Sequence, residues 1–414
     1  MSEQPITEKV AAWAFGGAGI LRHEGLAVFV PYSCVGDIIE CSLTKKKKNF
    51  AEGTLLKIIS PSPQRIQPLC PVYTRCGGCQ LQHVSYPEQL AYKQQTVIDA
   101  LTRIGKFSQP LVYPTVPAPV RWQYRRHITL HLSQGKLGYL ENDNTALIEP
   151  SACLLFSEDE TLFPYLRKLF NKSPDGRVTL IKSTDKLLMD AHFASEFSSE
   201  LVEEISHSPF FSGGRLRSAT QENTFGSIEG SLTYEDLTFS FHLGAFLQNH
   251  PEQSAAIYRA LCNEVSPLKP TKIIDLYSGI GITSCLFSQL GASVECIEYS
   301  PAAVKAAKAN LKKYAQASWN VIEGPVERLL RNLKGPFDLA FVNPPRTGMH
   351  PSAIQQLLKH QPEHLFYLSC MPSTLARDLQ LLSSRYRLIH CTPFDLFPQT
   401  AHVETLARLQ LISK

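Results

Sequence analysis

The stretch KIIDLYSGIGITSCLFSQLGASVECIEYS (residues 272–300) decides how the rest of the chain is read. KIIDLYS is a short apolar run of strand length, and it ends at Gly279-Ile280-Gly281. A helix-length segment follows, and then a second apolar run, VECIEYS. Strand, glycine turn, helix and strand in that order predict a parallel α/β unit, with glycines where the backbone must approach a ligand closely. Glu298 lies 23 residues beyond Asp275, the place of an acidic side chain that accepts ribose hydroxyls. The third glycine of G-x-G-x-x-G is absent, which disfavours a dinucleotide. With a Pro-Pro turn further along, S-adenosylmethionine is the better expectation. The competing reading is a packing turn that binds nothing.

The rhythm continues on both sides. PEQSAAIYRALCNEV (251–265) is a helix before the unit. After it come helix PAAVKAAKANLKKY, strand NVIEG, helix ERLLRNL, strand FDLAFVNPP, helix SAIQQLLKH, strand HLFYLSC, helix STLARDLQLL and two final strands. This predicts a doubly wound sheet over 244–414 with an antiparallel last pair. In such a sheet, loops at the carboxyl ends of strands share one crevice. Three of them carry chemistry: Asn343-Pro344-Pro345-Arg346, Ser369-Cys370-Met371-Pro372, and Phe397-Pro398-Gln399-Thr400-Ala401-His402-Val403-Glu404. Cys370 stands at a helix N-terminus, where the dipole can lower a thiol from ~8.5 toward neutrality and make a nucleophile. Against this, most cysteines are simply buried. Glu404 is the nearest base, with His402 a rival, although a Glu on a last strand is usually surface.

A chain of 414 residues with 43% hydrophobic content can hold two or three domains with their own cores. No apolar run reaches the roughly 18 residues of a membrane helix. The start, MSEQPITEKV, lacks a secretory pattern. Eleven cysteines in that setting point to reduced thiols and to the cytoplasm rather than to disulfides. Residues 61–140 hold nine Lys/Arg against two acids, while residues 141–240 hold eight against seventeen. Arg121-Trp122-Gln123-Tyr124-Arg125-Arg126-His127 mixes cations with aromatics as a nucleic-acid surface does, or as a charged, solvated strand does.

Residues 1–60 alternate short apolar runs with turns, which suits a small β-barrel, with Lys45-Lys46-Lys47-Lys48 at a turn. Residues 61–243 read as a β-rich central domain (HITLHL, RVTLIK, LLMDAHF, LTYEDLTFSFHL) after one helix, YPEQLAYKQQTVIDALTRIG. Cys70, Cys76 and Cys79 form C-x5-C-x2-C around Gly77-Gly78, and Cys153 is the best fourth ligand. A structural zinc site would show a second close pair of ligands, and none follows. Three close thiols with a distant fourth suit an iron–sulfur cluster better.

Three C-terminal motifs, VNPPRTGMHPSAIQQLL, FYLSCMPSTLARDL and FDLFPQTAHVETLARL, together resemble the RNA 5-methyluridine methyltransferases, S-adenosylmethionine-dependent enzymes acting on uracil C5. CPVYTRCGGCQLQHVSYPEQLAYK and the start, GGAGILRHEGLAVFVPYSCVGDIIECSLTKKKKNFAEGTLLKI, resemble the subgroup with a 4Fe–4S cluster and a TRAM domain that modifies 23S ribosomal RNA. The resemblance implies a Rossmann-like catalytic domain, a β-rich middle and a TRAM/OB-like barrel. It implies Cys370 as nucleophile and Glu404 as base, and Gln248, Tyr277, Glu298 and Asn343 at the cofactor. Cys70, Cys76, Cys79 and Cys153 would hold the cluster. RNA is the implied partner, 23S rRNA first, with no membrane and no obligate protein partner. The family usually has Asp at the position of Asn343, and Phe-Phe-Gln-Val-Asn where this chain has Phe246-Leu247-Gln248-Asn249-His250. Other readings are a tRNA uridine methyltransferase, an amino-methyltransferase using Asn-Pro-Pro, and an RNA-binding protein with a decayed catalytic fold.

Overall fold

The computed structural model describes residues 4–142, 146–156, 159–184 and 186–412. Residues 1–3 of the N-terminal stretch, and 143–145 and 157–158 of the acidic segment, lie outside it.

The C-terminal sheet has seven strands: β1 (Lys272–Leu276), β2 (Ser293–Glu298), β3 (Trp319–Glu323), β4 (Leu339–Val342), β5 (His364–Ser369), β6 (Tyr386–Phe394) and β7 (Glu404–Leu411). Their order is β3-β2-β1-β4-β5-β7-β6. The first five are parallel, and β7 runs antiparallel to both β5 and β6. The expected doubly wound sheet with a reversed last pair is therefore present. The centre of the sheet is apolar on both faces: every residue of β4 and β5 is buried, as parallel strands covered by helices require.

Because β7 is antiparallel, its first residue lies at the edge where the parallel strands end. Ser369, the last residue of β5, is paired with Thr405, next to Glu404. The reversed strand thus brings Glu404 to the same rim as Cys370, although they are far apart in sequence.

Residues 6–60 form a six-stranded sheet around a small core of Val10, Leu21, Val28, Val30, Ile39, Cys41 and Ala51. Two of its strands, Ile6–Lys9 and Ala12–Trp13, are too short and polar to be read from periodicity. A separate seven-stranded sheet spans His127 to Gly226, with helices Leu162–Phe170 and Ser199–Ser206 packed in the same core. Two further pieces pack on the C-terminal sheet instead. Helix Tyr86–Arg103 places Val97 and Leu101 among Leu375, Leu379 and Leu382 of helix Pro372–Leu382. The hairpin Glu229–Tyr234/Leu237–His242 buries Leu232, Phe239 and Phe241 in the core that holds Ile273 and Phe341. Its backbone is tied to the helix Pro301–Tyr314 by Asn310, which accepts from Ser240 N at 2.9 Å and donates to Ser240 O at 3.0 Å. No helix among the described residues is long and apolar enough to cross a membrane.

Candidate active site

A cavity of about 1030 Å³ opens at the carboxyl edge of the sheet. Gln248, Tyr277, Glu298, Asn343, Cys370 and Glu404 all line it, so the fold brings the six residues together from six separate segments.

The floor follows from backbone geometry. Tyr277 has φ 61° and Gly279 φ 57°, left-handed values that turn the chain sharply after β1. A side chain at Gly279 would have no neighbour within 4 Å, so that face is open to a ligand, whereas a Cβ on Gly281 (φ 81°) would stand 3.1 Å from the Ala307 Cβ. Glycine therefore serves close approach at one position and helix packing at the other. The Glu298 carboxylate accepts from Gly279 N at 2.9 Å and Ser300 N at 2.8 Å, one bond per oxygen. Each oxygen keeps a free lone pair for a hydroxyl donor. Below the turn, Asp275 is fully buried and accepts from Thr283 Oγ1 at 2.7 Å and Ser284 Oγ at 2.5 Å; burial still raises its carboxyl to about 6.

The Asn-Pro-Pro-Arg turn is locked from the neighbouring helix. The buried Asp378 accepts from Met349 N at 2.7 Å and Tyr367 OH at 2.7 Å. Thr374 Oγ1 donates to Arg346 O at 3.1 Å, and Arg377 Nη2 to Thr347 O at 2.9 Å. One helix, Pro372–Leu382, thus fixes both the turn and Cys370, two residues before it.

The surroundings of Cys370 and Glu404 differ from expectation. The Cys370 thiol is pushed up to about 11, first by burial and then by the neighbouring Glu404, with Arg346 opposing. Where position at a helix N-terminus suggests a fall toward neutrality, burial acts the other way by desolvating the anion. Glu404 is 2% exposed, not a surface residue, and burial raises its carboxyl to about 8 against the pull of Arg346. His402, the rival base, is absent from the cavity lining; burial lowers it to about 4 and its ring packs edge-on against Phe397.

The segment leading to Glu404 is held from the N-terminal side. Lys93 and Asp395 form a fully buried ion pair, and Lys93 Nζ also donates to Phe397 O at 3.0 Å. Gln399 (φ 69°) accepts at its carbonyl from Gln80 N at 3.2 Å and Leu81 N at 3.0 Å; its Oε1 accepts from Gln89 Nε2 at 3.1 Å, and its backbone N donates to Gln89 Oε1 at 3.1 Å.

Apart from Arg346, whose loop the sequence already places at the crevice, the cavity has lining residues that no motif marks. Arg126, His127, Phe246, Tyr299 and Arg346 also line it. Arg126 is 8% exposed, and Tyr124 is buried with its OH donating to Pro398 O at 2.9 Å. In the basic-aromatic stretch 121–127, Tyr124 and Arg126 are buried, Trp122, Arg125 and His127 are half-buried, and Arg121 and Gln123 are exposed. The altered Gln248-Asn249-His250 segment has local work. Asn249 accepts from Arg126 N and His127 N, and His250 caps helix Pro251–Val265 while bonding Val120 O at 2.8 Å.

Cys70, Cys76, Cys79 and Cys153 line a second, small cavity of about 40 Å³. Cys76 is bridged to Glu141, which brings the loop onto the central sheet. Burial raises the thiols of Cys70, Cys76 and Cys79, the last to about 12. Arg125 lines the same cavity with its Nε buried and unpartnered. Among the described residues no group of three or more His, Cys, Asp or Glu converges closely enough to hold a single metal ion.

A seven-stranded sheet of this order, with a ligand cavity at its carboxyl rim, defines a Rossmann-like methyltransferase. The family described as tRNA (Uracil-5-)-methyltransferase matches residues 228–411. An uncharacterized RNA methyltransferase of Protochlamydia amoebophila is 41% identical over 98% of both chains. Another, of Halalkalibacterium halodurans, is 28% identical over 95% of this chain and 94% of its own. The crystal structure of the Pyrococcus abyssi tRNA (uracil-54, C5)-methyltransferase in complex with S-adenosyl-L-homocysteine superposes with a TM-score of 0.77 at 24% identity, covering 98% of this chain and 100% of that one, a likeness of fold. The chain belongs to the tRNA (uracil-5-)-methyltransferase family.

Proposed function

We propose that the protein methylates uracil C5 in RNA, with S-adenosylmethionine as methyl donor and Cys370 and Glu404 as its reactive pair. The observation that carries this is their meeting at one rim with Gln248, Tyr277, Glu298 and Asn343 around a single cavity. Uracil C5 is a poor nucleophile until C6 is saturated, so a thiolate adding to C6 is the chemistry this pair can supply. Glu298 and the open Gly279 suit a ribose, and Asn343 keeps an acceptor while contributing no charge. When bound, S-adenosylmethionine supplies an electrophilic methyl group. Cys370 adds to C6 and places electron density at C5. Once C5 carries the transferred methyl group, Glu404, as its carboxylate, takes the C5 proton, the C5=C6 bond re-forms and Cys370 leaves as its thiolate. Because its carboxyl sits at about 8, activity rises with pH through that region.

Cys70, Cys76, Cys79 and Cys153 would hold a 4Fe–4S cluster. The four thiols line one small cavity, as a cluster held by four cysteines requires. The unpartnered Arg125 Nε suits an anionic group there. Bound, the cluster would supply a covalent tie between the 70–79 loop and the Cys153 segment.

As a working division we propose 1–60, a TRAM-like barrel; 61–243, the cysteine-bearing part; and 244–414, the catalytic part, with helix 86–103 and hairpin 229–242 packed onto the last. The substrate is taken as 23S rRNA on the cysteine and N-terminal resemblances. A tRNA substrate is the second reading, favoured by the description of the matched family. Mapping 5-methyluridine in ribosomal and transfer RNA from cells with and without the protein decides between them. A loss in neither RNA would refute the function.

A further inference from the structure

Resting on the reading of Glu404 as the base, we propose that Gln89 is a positioning residue for it, a buried amide that ties the cysteine-bearing loop to the turn delivering Glu404 to the active site.

The turn needs outside support. From Pro398 to Glu404 every residue except His402 is buried, so the backbone polar groups there must find partners within the chain. Thr400 supplies two locally, its Oγ1 donating to Phe397 O at 2.8 Å and accepting from His402 N at 3.3 Å. Further partners come from residues 80–124. Tyr124 OH donates to Pro398 O, Gln80 N and Leu81 N donate to Gln399 O, and Ala401 N donates to Gln80 Oε1 at 3.3 Å. Gln399 sits at φ 69°, a left-handed conformation that a residue with a side chain keeps only where its surroundings impose it.

Gln89 is where these bonds meet. It lies on the helix Tyr86–Arg103 and is 1% exposed. Its Oε1 accepts from Gln399 N at 3.1 Å, and its Nε2 donates to Gln399 Oε1 at 3.1 Å, Leu81 O at 3.1 Å and Val84 O at 3.0 Å. One carboxamide thus joins Gln399 to the chain just beyond Cys79. Lys93, one helical turn on, reaches Asp395 and Phe397 O. Residues i and i+4 of a helix share a face, so both side chains hold the 395–399 segment from the same side.

Glu404 opens β7 shortly after this turn. Beyond it, the strand is fixed by the pairing of Thr405 with Ser369; before it, the turn sets where the carboxylate enters the cavity. Removing the C5 proton needs that carboxylate within hydrogen-bond reach, and misplacement by about 1 Å can cost on the order of a hundredfold. Gln89 does not line the cavity, so it acts through Gln399. The cysteine-bearing loop and the base therefore share one anchor.

Hydrogen–deuterium exchange of the full chain, wild type against Gln89→Met, reads the turn without RNA or methyl donor. Met keeps the length of the side chain and removes its hydrogen bonds. The peptide covering 397–404 should exchange about tenfold faster in the variant, while the one covering 364–369 keeps wild-type protection. In methylation assays kcat should fall about thirtyfold with KM within about twofold, and a covalent protein–RNA adduct should build up, because the step lost is the one Glu404 performs. Wild-type exchange at 397–404 overturns the proposal, as does an equal loss of protection in both peptides or a rise in KM alone. Should Gln89→Met fail to fold, Gln89→Glu decides. A protonated Glu can donate as the amide does and an ionised one cannot, so 397–404 should be protected at pH 5 and released at pH 8 after correction for intrinsic rates. Wild-type protection at both pH values, or release at both, overturns the anchoring. A wild-type protein that methylates no RNA counts against the proposed function, and the exchange result still decides whether Gln89 holds the turn.

Discussion

Replacing Glu404 by Gln should make the protein's stability less sensitive to pH. In the folded chain the carboxyl titrates at about 8 because burial penalises its charged form, against 4.5 for an ordinary Glu. Between those values the unfolded chain is ionised and the folded one is protonated, so unfolding releases a proton. The favourable contribution of the protonated form is fully present below about 4.5, falls as pH rises, and is gone above about 8. At about 1.4 kcal/mol per pH unit in that window, flattening near its upper end, the wild type loses about 2 kcal/mol between pH 6 and pH 8. Gln fills nearly the same volume and cannot titrate, so the variant lacks this term. Asp275, raised to about 6, contributes equally to both proteins and cancels in the comparison. Urea unfolding followed by circular dichroism at constant ionic strength reads the difference. The variant should gain about 2 kcal/mol on the wild type between the two pH values. Parallel pH dependences would show that Glu404 is ionised in the folded chain and refute the reasoning.

Further outcomes follow from the same contacts. With RNA and S-adenosylmethionine, Glu404→Gln should accumulate a covalent protein–RNA adduct, seen as a slow-migrating band in denaturing gels; normal turnover without an adduct would remove Glu404 as the base. Asp378→Ala should destabilise the protein by about 3 kcal/mol and lower kcat more than it raises KM, because it strips the partners of Met349 N and Tyr367 OH at once. Unfolding curves and steady-state kinetics check the two halves. Cys153→Ser should lose iron and brown colour in protein purified anaerobically, measured by iron analysis and visible absorbance. Full iron content in that variant would exclude Cys153 as a ligand.

Much of the catalytic part was legible because its strands are continuous apolar runs separated by helix-length segments. Fully buried strands such as LAFV and HLFYLS leave little choice of class. The glycine turn and the loops after strands then marked the cavity in advance. Proximity of Cys370 and Glu404 could be expected only from topology, since the reversal of β7 brings them together. What the sequence hid was burial. Arg125 and Arg126 look like surface cations in any window of residues, yet one lines the cysteine cavity and the other the active site. The high titration points of Cys370 and Glu404 were hidden for the same reason, because desolvation depends on neighbours from distant segments. Likewise, nothing in the periodicity of helix 86–103 tells that its apolar stripe faces the helix 372–382 rather than the central sheet.

The proposed reaction places a methyl group on uracil C5 through Cys370. Incubating unmodified ribosomal and transfer RNA with the purified protein and methyl-tritiated S-adenosylmethionine, then identifying the labelled nucleoside by mass spectrometry, tests it directly. 5-Methyluridine is expected from the wild type, and none from Cys370→Ala, which still binds S-adenosylmethionine. Label on any other nucleoside, or 5-methyluridine formed at the wild-type rate by Cys370→Ala, would contradict it.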